Sequence, residues 1–247
     1  MRNREKWRPS KFEYAGGKLV ASPNELEVGL GSRLIVNLVA CHYDRYTKQH
    51  ARGRLIDLGC GRVPLYDVYK NYVTDNVCVD WINTIHRNDF VDYECDLSQA
   101  LPFCDEAFET IIISDVLEHI PNPDVIWREM SRILARGGKI LLNVPFYYWL
   151  HEQPHDYYRY TKFALMRFAE SVGLKIVLLQ VIGGAPEIIA DILSKNLLRL
   201  RVVGKCLAKM VQFLTFKFIQ TRIGRKISEA TSGEFPFGYF VVVEKPI

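Results

Sequence analysis

The chain has 247 residues, 49% of them apolar, and a formal charge of +4. That length supports one sizeable α/β domain with an appended subdomain and is short for two full domains. No run of about 18 uncharged apolar residues is present, and Met1-Arg2-Asn3-Arg4-Glu5-Lys6 lacks the apolar centre of a signal peptide, so the expected location is the cytoplasm.

Residues 1–21 are polar, basic and glycine-containing and read as a loosely held arm. Ser22-Pro23-Asn24-Glu25 offers a serine cap, a proline at the first helical position and a glutamate to close a capping box. With Leu26, Leu30, Leu34, Leu38 and Tyr46 at near-helical spacing, this predicts a helix up to Arg52-Gly53, so that 1–50 is an N-terminal arm and helix. Strands are expected at 54–58, 76–80, 90–95, 109–114, 139–144, 174–181 and 237–243. They alternate with helical or loop segments, the pattern of a parallel sheet covered on both faces. One helix is expected from Pro123 to Ala135, with Val125, Ile126, Met130, Ile133 and Leu134 on one side and Arg136-Gly137-Gly138 as its stop. Another runs from a Thr161 cap through Phe163, Leu165, Met166 and Phe168 to Gly173. The cysteines at 41, 60, 78, 95, 104 and 206 form no CxxC pair, and several lie in apolar runs, which favours buried free thiols over disulfides or zinc.

Chemistry concentrates at strand ends. Arg54-Leu55-Ile56-Asp57-Leu58 runs straight into Gly59-Cys60-Gly61, where a ligand can approach bare backbone. Asn76-Val77-Cys78-Val79-Asp80 ends in an acid suited to ribose hydroxyls, and Asp96 follows a third strand-like stretch. Val63 and Pro64 stand where a GxGxxG dinucleotide turn would carry its third glycine, so a phosphate-bearing dinucleotide is disfavoured.

In this order the motifs resemble those of the class I S-adenosylmethionine-dependent methyltransferases. The resemblance covers about residues 50–183 and the last strand: Leu55 to Gly61, Asp80, Asp96-Leu97, Ile113-Ser114-Asp115-Val116-Leu117-Glu118-His119-Ile120, and Leu134 to Ile140. It implies a Rossmann-like α/β sandwich with a seven-stranded, mostly parallel sheet, strand seven antiparallel, and helices on both faces. It further implies S-adenosyl-L-methionine as cofactor, contacted by Asp57, Gly59, Cys60, Gly61, Asp80, Trp81, Asp96, Leu97 and Ser114. The core would be 51–184, with 185–235 a helical insertion before a last strand in 236–247.

Residues 143–161 follow a strand's carboxyl end and hold seven aromatics, His151, His155, Glu152, Asp156 and Arg159. They read as a substrate lid in which Tyr147, Tyr148, Asp156, Tyr157 and Arg159 meet the acceptor. His-Glu-x-Pro-x-Asp-Tyr-x-Arg-Tyr-Thr resembles a methyltransferase subgroup of cell-surface polysaccharide and glycolipid assembly. Methyl transfer to a hydroxyl needs a base, for which His119, His151 and His155 are candidates, with Asp115 or Asp156 able to orient or replace one. His151 to His155 spells H-E-x-x-H, but Pro154 opposes the helix that would align both imidazoles, so no metal is expected. The expected activity is O-methylation of a sugar or lipid-linked saccharide in cell-surface glycan biosynthesis. Its alternatives are a small-molecule or quinone-type methyltransferase and a non-catalytic methyltransferase-like binding protein.

Residues 192–228 carry nine basic residues and no acid, leaving the rest of the chain at −5. The stretch 186–228 reads as one or two helices laced with lysine and arginine. An anionic membrane surface at the inner face, with a lipid-linked substrate, and a homodimer partner both suit them. Nucleic acid is disfavoured, because no RNA-binding module accompanies the charge.

Overall fold

The computed structural model describes residues 1–82 and 89–247. Phe12–Ala15 (β1) and Lys18–Ala21 (β2) pair as an antiparallel hairpin. Gly16 and Gly17 sit between them at φ 57° and 76°, the left-handed backbone that a two-residue hairpin turn requires. The arm is therefore structured, and the Gly-Gly between FEYA and KLVA is the signal for it. The next helix, α1 (Arg33–His50), begins eleven residues after Ser22. Ser22 Oγ and Asn24 Oδ1 instead accept from the backbone N–H groups of Asn24 and Leu26, local turns that compete with helix and leave Leu26 exposed.

The main sheet is built from β3 (Arg54–Leu58), β4 (Asp75–Asp80), β5 (Tyr93–Glu94), β6 (Phe108–Ser114), β7 (Leu134–Pro145), β8 (Lys175–Ile182) and β9 (Gly238–Glu244). Its order is β5-β4-β3-β6-β7-β9-β8, with β3 parallel to β4 and β6, β4 to β5, and β6 to β7. Leu55, Ile56, Leu58 and Ile111 to Ile113 are buried, as expected for central strands covered on both faces. The third strand is only two residues long, because the stretch 92–96 is charged and exposed rather than apolar. Helices α2 (Tyr66–Tyr69), α3 (Pro123–Ile133) and α4 (Lys162–Ser171) complete this part, and Thr161 Oγ1 caps α4 by accepting from Ala164 N–H. Between β3 and β6 the strand order turns outward in both directions, which opens a crevice beyond their carboxyl ends.

The chain forms two compact units that divide it differently from the sequence boundaries. One comprises Met1–Arg8, Arg45–Gln180 and Tyr239–Ile247; the other comprises Pro9–Asp44 and Val181–Gly238. The second holds the hairpin, the first part of α1, and α5 (Ala185–Leu197), α6 (Gly204–Gln220) and α7 (Arg222–Ser232). The expected one or two helices are three. Thr221 breaks the run by capping α7, and a Cβ on Gly224 would lie 2.0 Å from the Phe218 carbonyl oxygen. Buried Gln212 ties α6 to its neighbours, donating to Gly31 O and Ser194 Oγ and accepting from Leu34 N–H. Among the described residues no helix is long and apolar enough to cross a membrane. All six cysteines are free, but only Cys60 and Cys78 are buried; Cys41, Cys104 and Cys206 are exposed, against expectation.

Candidate active site

The crevice holds a cavity of about 490 Å³ within the first unit. One wall is formed by backbone. Gly59 sits at φ 69°, and a Cβ there would lie 2.4 Å from Val116 Cγ2. Gly61 sits at φ 49° with open space where its side chain would be, so the turn presents bare backbone to the cavity. The Asp80 carboxylate is fixed by two amides, accepting from Gly61 N–H (2.8 Å) and Trp81 N–H (2.7 Å). Asp96 Oδ1 accepts from Ser98 N–H at 2.8 Å. The turn continues through Val63, a β-branched residue at φ 52° whose carbonyl accepts from the Trp7 indole N–H.

Asp57 lies beneath this wall rather than on it. Complete burial, and the neighbouring Asp80, push its carboxyl up to about 7, while a hydrogen bond from Tyr69 works the other way. Cys60 is also buried away from the lining, with its N–H on Val79 O. Ser114 acts at one remove: its hydroxyl donates to Asn143 Oδ1, and Asn143 Nδ2 donates to Asp115 Oδ1 at 2.5 Å. Asp115 lines the cavity at φ 53°, an uncommon conformation for a residue with a side chain.

The opposite wall is a strap, residues 146–161, without regular secondary structure. It is tied to the loop 117–121 by main-chain acceptors. Glu118 O takes the N–H groups of Tyr157 and Tyr158, Leu117 O takes the Tyr160 hydroxyl, and Pro121 O takes the Tyr158 hydroxyl. Arg159 donates twice to Asp156, at 2.5 and 2.7 Å, and Asp156 Oδ2 accepts from His151 N–H. Burial opposes the Asp156 charge, but Arg159 and that amide outweigh it and hold the carboxyl at about 2. Burial, aided by His119, pushes the His151 imidazole below its ordinary value.

The two histidines of H-E-x-x-H meet different neighbours. His155 packs edge-on to Trp81 (5.2 Å between centroids), with Nδ1 3.1 Å from the Tyr157 hydroxyl. His151 packs against His119 and Tyr148 at 4.7 and 5.1 Å. His119 Nδ1 lies 2.7 Å from His155 O.

Of the residues expected from sequence, Gly59, Gly61, Asp80, Trp81, Asp96, Leu97, Asp115, His119, His155 and Tyr157 line the cavity. Asp57, Cys60, Ser114, Tyr147, Tyr148, His151, Asp156 and Arg159 do not. Sequence reasoning assigns no role to Ser98, Val116, Glu152 and Gln153, which also line it, or to Asn143, which aims Asp115. It also passes over fully buried Glu118, whose signal is a lone acid between Leu117 and Ile120. A glycine cradle beside carboxylates at successive strand ends fits a cationic, phosphate-free nucleoside ligand.

A family model described as a methyltransferase domain matches residues 15–176. The ubiquinone biosynthesis O-methyltransferase of Parvibaculum lavamentivorans is 24% identical over 98 residues, 36% of this chain and 39% of that protein. Methyltransferase GfsG of Streptomyces halstedii is 25% identical over 103 residues, 36% of each. An uncharacterized protein of Methanocaldococcus jannaschii is 46% identical over 46 residues, 19% of this chain and 22% of that one. The matched stretches thus span between about a fifth and two fifths of these curated relatives. Among solved structures, the [4+2]-cyclase SpnF superposes with a TM-score of 0.54 at 15% identity, covering 92% of this chain and 99% of that one. The Haloferax volcanii complex of the Trm112 methyltransferase activator with its putative methyltransferase does so at 0.54 and 15%, covering 89% and 98%. These likenesses are of fold.

Proposed function

We propose, for a chain that belongs to the methyltransferase-domain family and is an S-adenosylmethionine-dependent methyltransferase, that the acceptor group is a hydroxyl and the reaction O-methylation. The observation that carries this reading is that His119, His155 and Asp115 stand on the lining of the same cavity as Gly59, Gly61, Asp80 and Asp96. When bound, S-adenosylmethionine supplies an electrophilic methyl group. Asp80 and Asp96 would hold its ribose and adenosine end, and the turn at Gly59 and Gly61 would admit its amino-acid end.

The chain's own task is to remove the hydroxyl proton as the acceptor oxygen attacks. His155 is suited to it: its ring touches Trp81 and Tyr157, which both line the cavity, and it is exposed enough to return the proton to water. In the tautomer whose Nδ1–H donates to the Tyr157 oxygen, Nε2 keeps the lone pair that takes the proton. His155→Asn is expected to lower kcat by about 10²-fold or more with S-adenosylhomocysteine affinity intact. Unchanged turnover in that variant, with turnover also unchanged in His119→Asn, would refute a histidine base.

For the acceptor we favour a sugar or lipid-linked saccharide. Exposed Tyr147, Trp149, Tyr157 and Tyr158 give the strap flat faces on which sugar rings stack, and Glu152 on the lining offers hydroxyl-binding oxygens. The partial match to a ubiquinone biosynthesis O-methyltransferase supports a second, quinone-type phenol reading. A panel of glycosides against catechols separates them by kcat/KM.

The helices of the second unit suit an anionic membrane. Met210, Phe213, Leu214, Phe218, Ile223 and Ile227 are exposed among Lys209, Lys217, Arg222, Arg225 and Lys226. Co-sedimentation with phosphatidylglycerol vesicles is expected, weakening with salt and lost on Phe213→Glu with Phe218→Glu. A salt-insensitive homodimer without vesicle binding would refute it.

A further inference from the structure

Glu118 lies in the loop after β6 and His151 in the strap, yet their side chains meet that of His119 beside the cavity. Glu118 is fully buried, and its Oε1 stands 3.9 Å from Nε2 of His119 and 3.9 Å from Nε2 of His151. One donor atom from each residue falls within 4.8 Å of the others.

Hydrogen bonding at the far side of each ring decides what these atoms are. His119 Nδ1 lies 2.7 Å from the His155 carbonyl oxygen, which can only accept, so Nδ1 carries the hydrogen and Nε2 the lone pair. His151 Nδ1 lies 3.3 Å from both Trp149 O and Asp156 Oδ2, again two acceptors, and its Nε2 keeps a lone pair as well. Among the described residues, buried His119 Nε2 has no hydrogen-bond partner. Two nitrogen lone pairs thus face one carboxylate oxygen, and that of His119 does so out of water, an arrangement that a positive species between them stabilises. A proton could bridge the carboxylate to one imidazole only. A divalent cation answers all three.

We infer that Glu118, His119 and His151 bind one divalent transition cation. Two imidazoles with one carboxylate suit zinc, iron, manganese or cobalt rather than magnesium or calcium, which favour oxygen ligands. The outer partners have the form such sites use: a backbone carbonyl on His119 Nδ1, and on His151 Nδ1 a carboxylate itself gripped by Arg159. The donors stand somewhat wider than the edge of about 3.4 Å that a tetrahedron with bonds of about 2.1 Å would have, a gap that side-chain torsions close. Three protein ligands leave coordination positions open. Its use, though not its existence, rests on the O-methylation reading: an acceptor hydroxyl on the cation would be acidified, and its proton would pass to His155.

Co2+ titration into the full chain, stripped beforehand with chelator, tests this without methyl donor or acceptor. Saturable visible d–d absorption at one Co2+ per chain, displaced by Zn2+, is expected. His151→Asn should weaken Co2+ by about tenfold or more, as should Glu118→Gln. His155→Asn, which removes no ligand, should leave the affinity unchanged. Near-ultraviolet circular dichroism identifies variants that remain folded, and partly exposed His151 decides the matter if buried Glu118 tolerates no change. No saturable absorption, or undiminished Co2+ affinity in folded His151→Asn, overturns the cation site.

Discussion

The two walls of the cavity are made in different ways. The donor wall is backbone at the ends of neighbouring strands, where Gly61 N–H holds the Asp80 carboxylate and Gly59 N–H holds Val79 O, contacts about twenty residues apart in sequence. The acceptor wall is a strap of side chains hung on carbonyls of the loop 117–121, some forty residues earlier. Geometry of the first kind is set by conformation and tolerates little change. Geometry of the second kind rests on separable bonds that can be varied one at a time. Donor binding and acceptor handling should therefore come apart under mutation.

The largest break is expected at Gly59. Alanine there combines a left-handed φ with a Cβ 2.4 Å from Val116, and should destabilise by about 2–4 kcal/mol and abolish S-adenosylhomocysteine binding. Gly61→Ala meets no protein atom, so strain of about 1–2 kcal/mol is its only folding cost, and calorimetry should show affinity falling more than stability.

Asp57 sharpens the comparison through pH. Its folded carboxyl, raised to about 7, keeps a proton that the unfolded chain releases near 4. The folded state then binds more protons, so stability should fall as pH rises from about 4 to 7 and level off above. Asp57→Asn should flatten that slope and raise the melting temperature at pH 8, as thermal melts across this range would reveal.

On the strap, Asp156→Asn should cost about 1–3 kcal/mol by leaving Arg159 without its charge partner. It should raise acceptor KM with donor affinity unchanged. Because the Asp156 carboxyl is depressed to about 2, its contribution is present above about pH 4 and lost as pH falls through 2. The smallest effect is Thr161→Ala, which removes the cap of α4 for about 1 kcal/mol and leaves both ligands unaffected.

What was legible in the sequence follows the same division. Strand-end acids and glycines are local constraints, so Asp80, Asp96, Gly59 and Gly61 can be read from spacing, and they line the cavity. The same locality misleads at Ser22, where a complete capping box loses to Asn24 making its own turn. Asp57 and Cys60 carry the right residue types but are buried beneath the wall: Asp57 by its place inside β3, and Cys60 in the turn after it, where its N–H is held on Val79 O. Glu118 and His151 meet only because the strap folds back onto the loop after β6, and no local pattern announces it. The H-E-x-x-H order draws attention to His155 as His151's partner, whereas His119 is the partner in space.

Calorimetric titration with S-adenosylhomocysteine, comparing the native chain with Asp80→Asn and Asp96→Asn, tests the donor wall most directly. Saturable binding at one molecule per chain, weakened by about tenfold or more in either variant, is the predicted result. No heat from the native chain, or equal affinity in all three proteins, would contradict it.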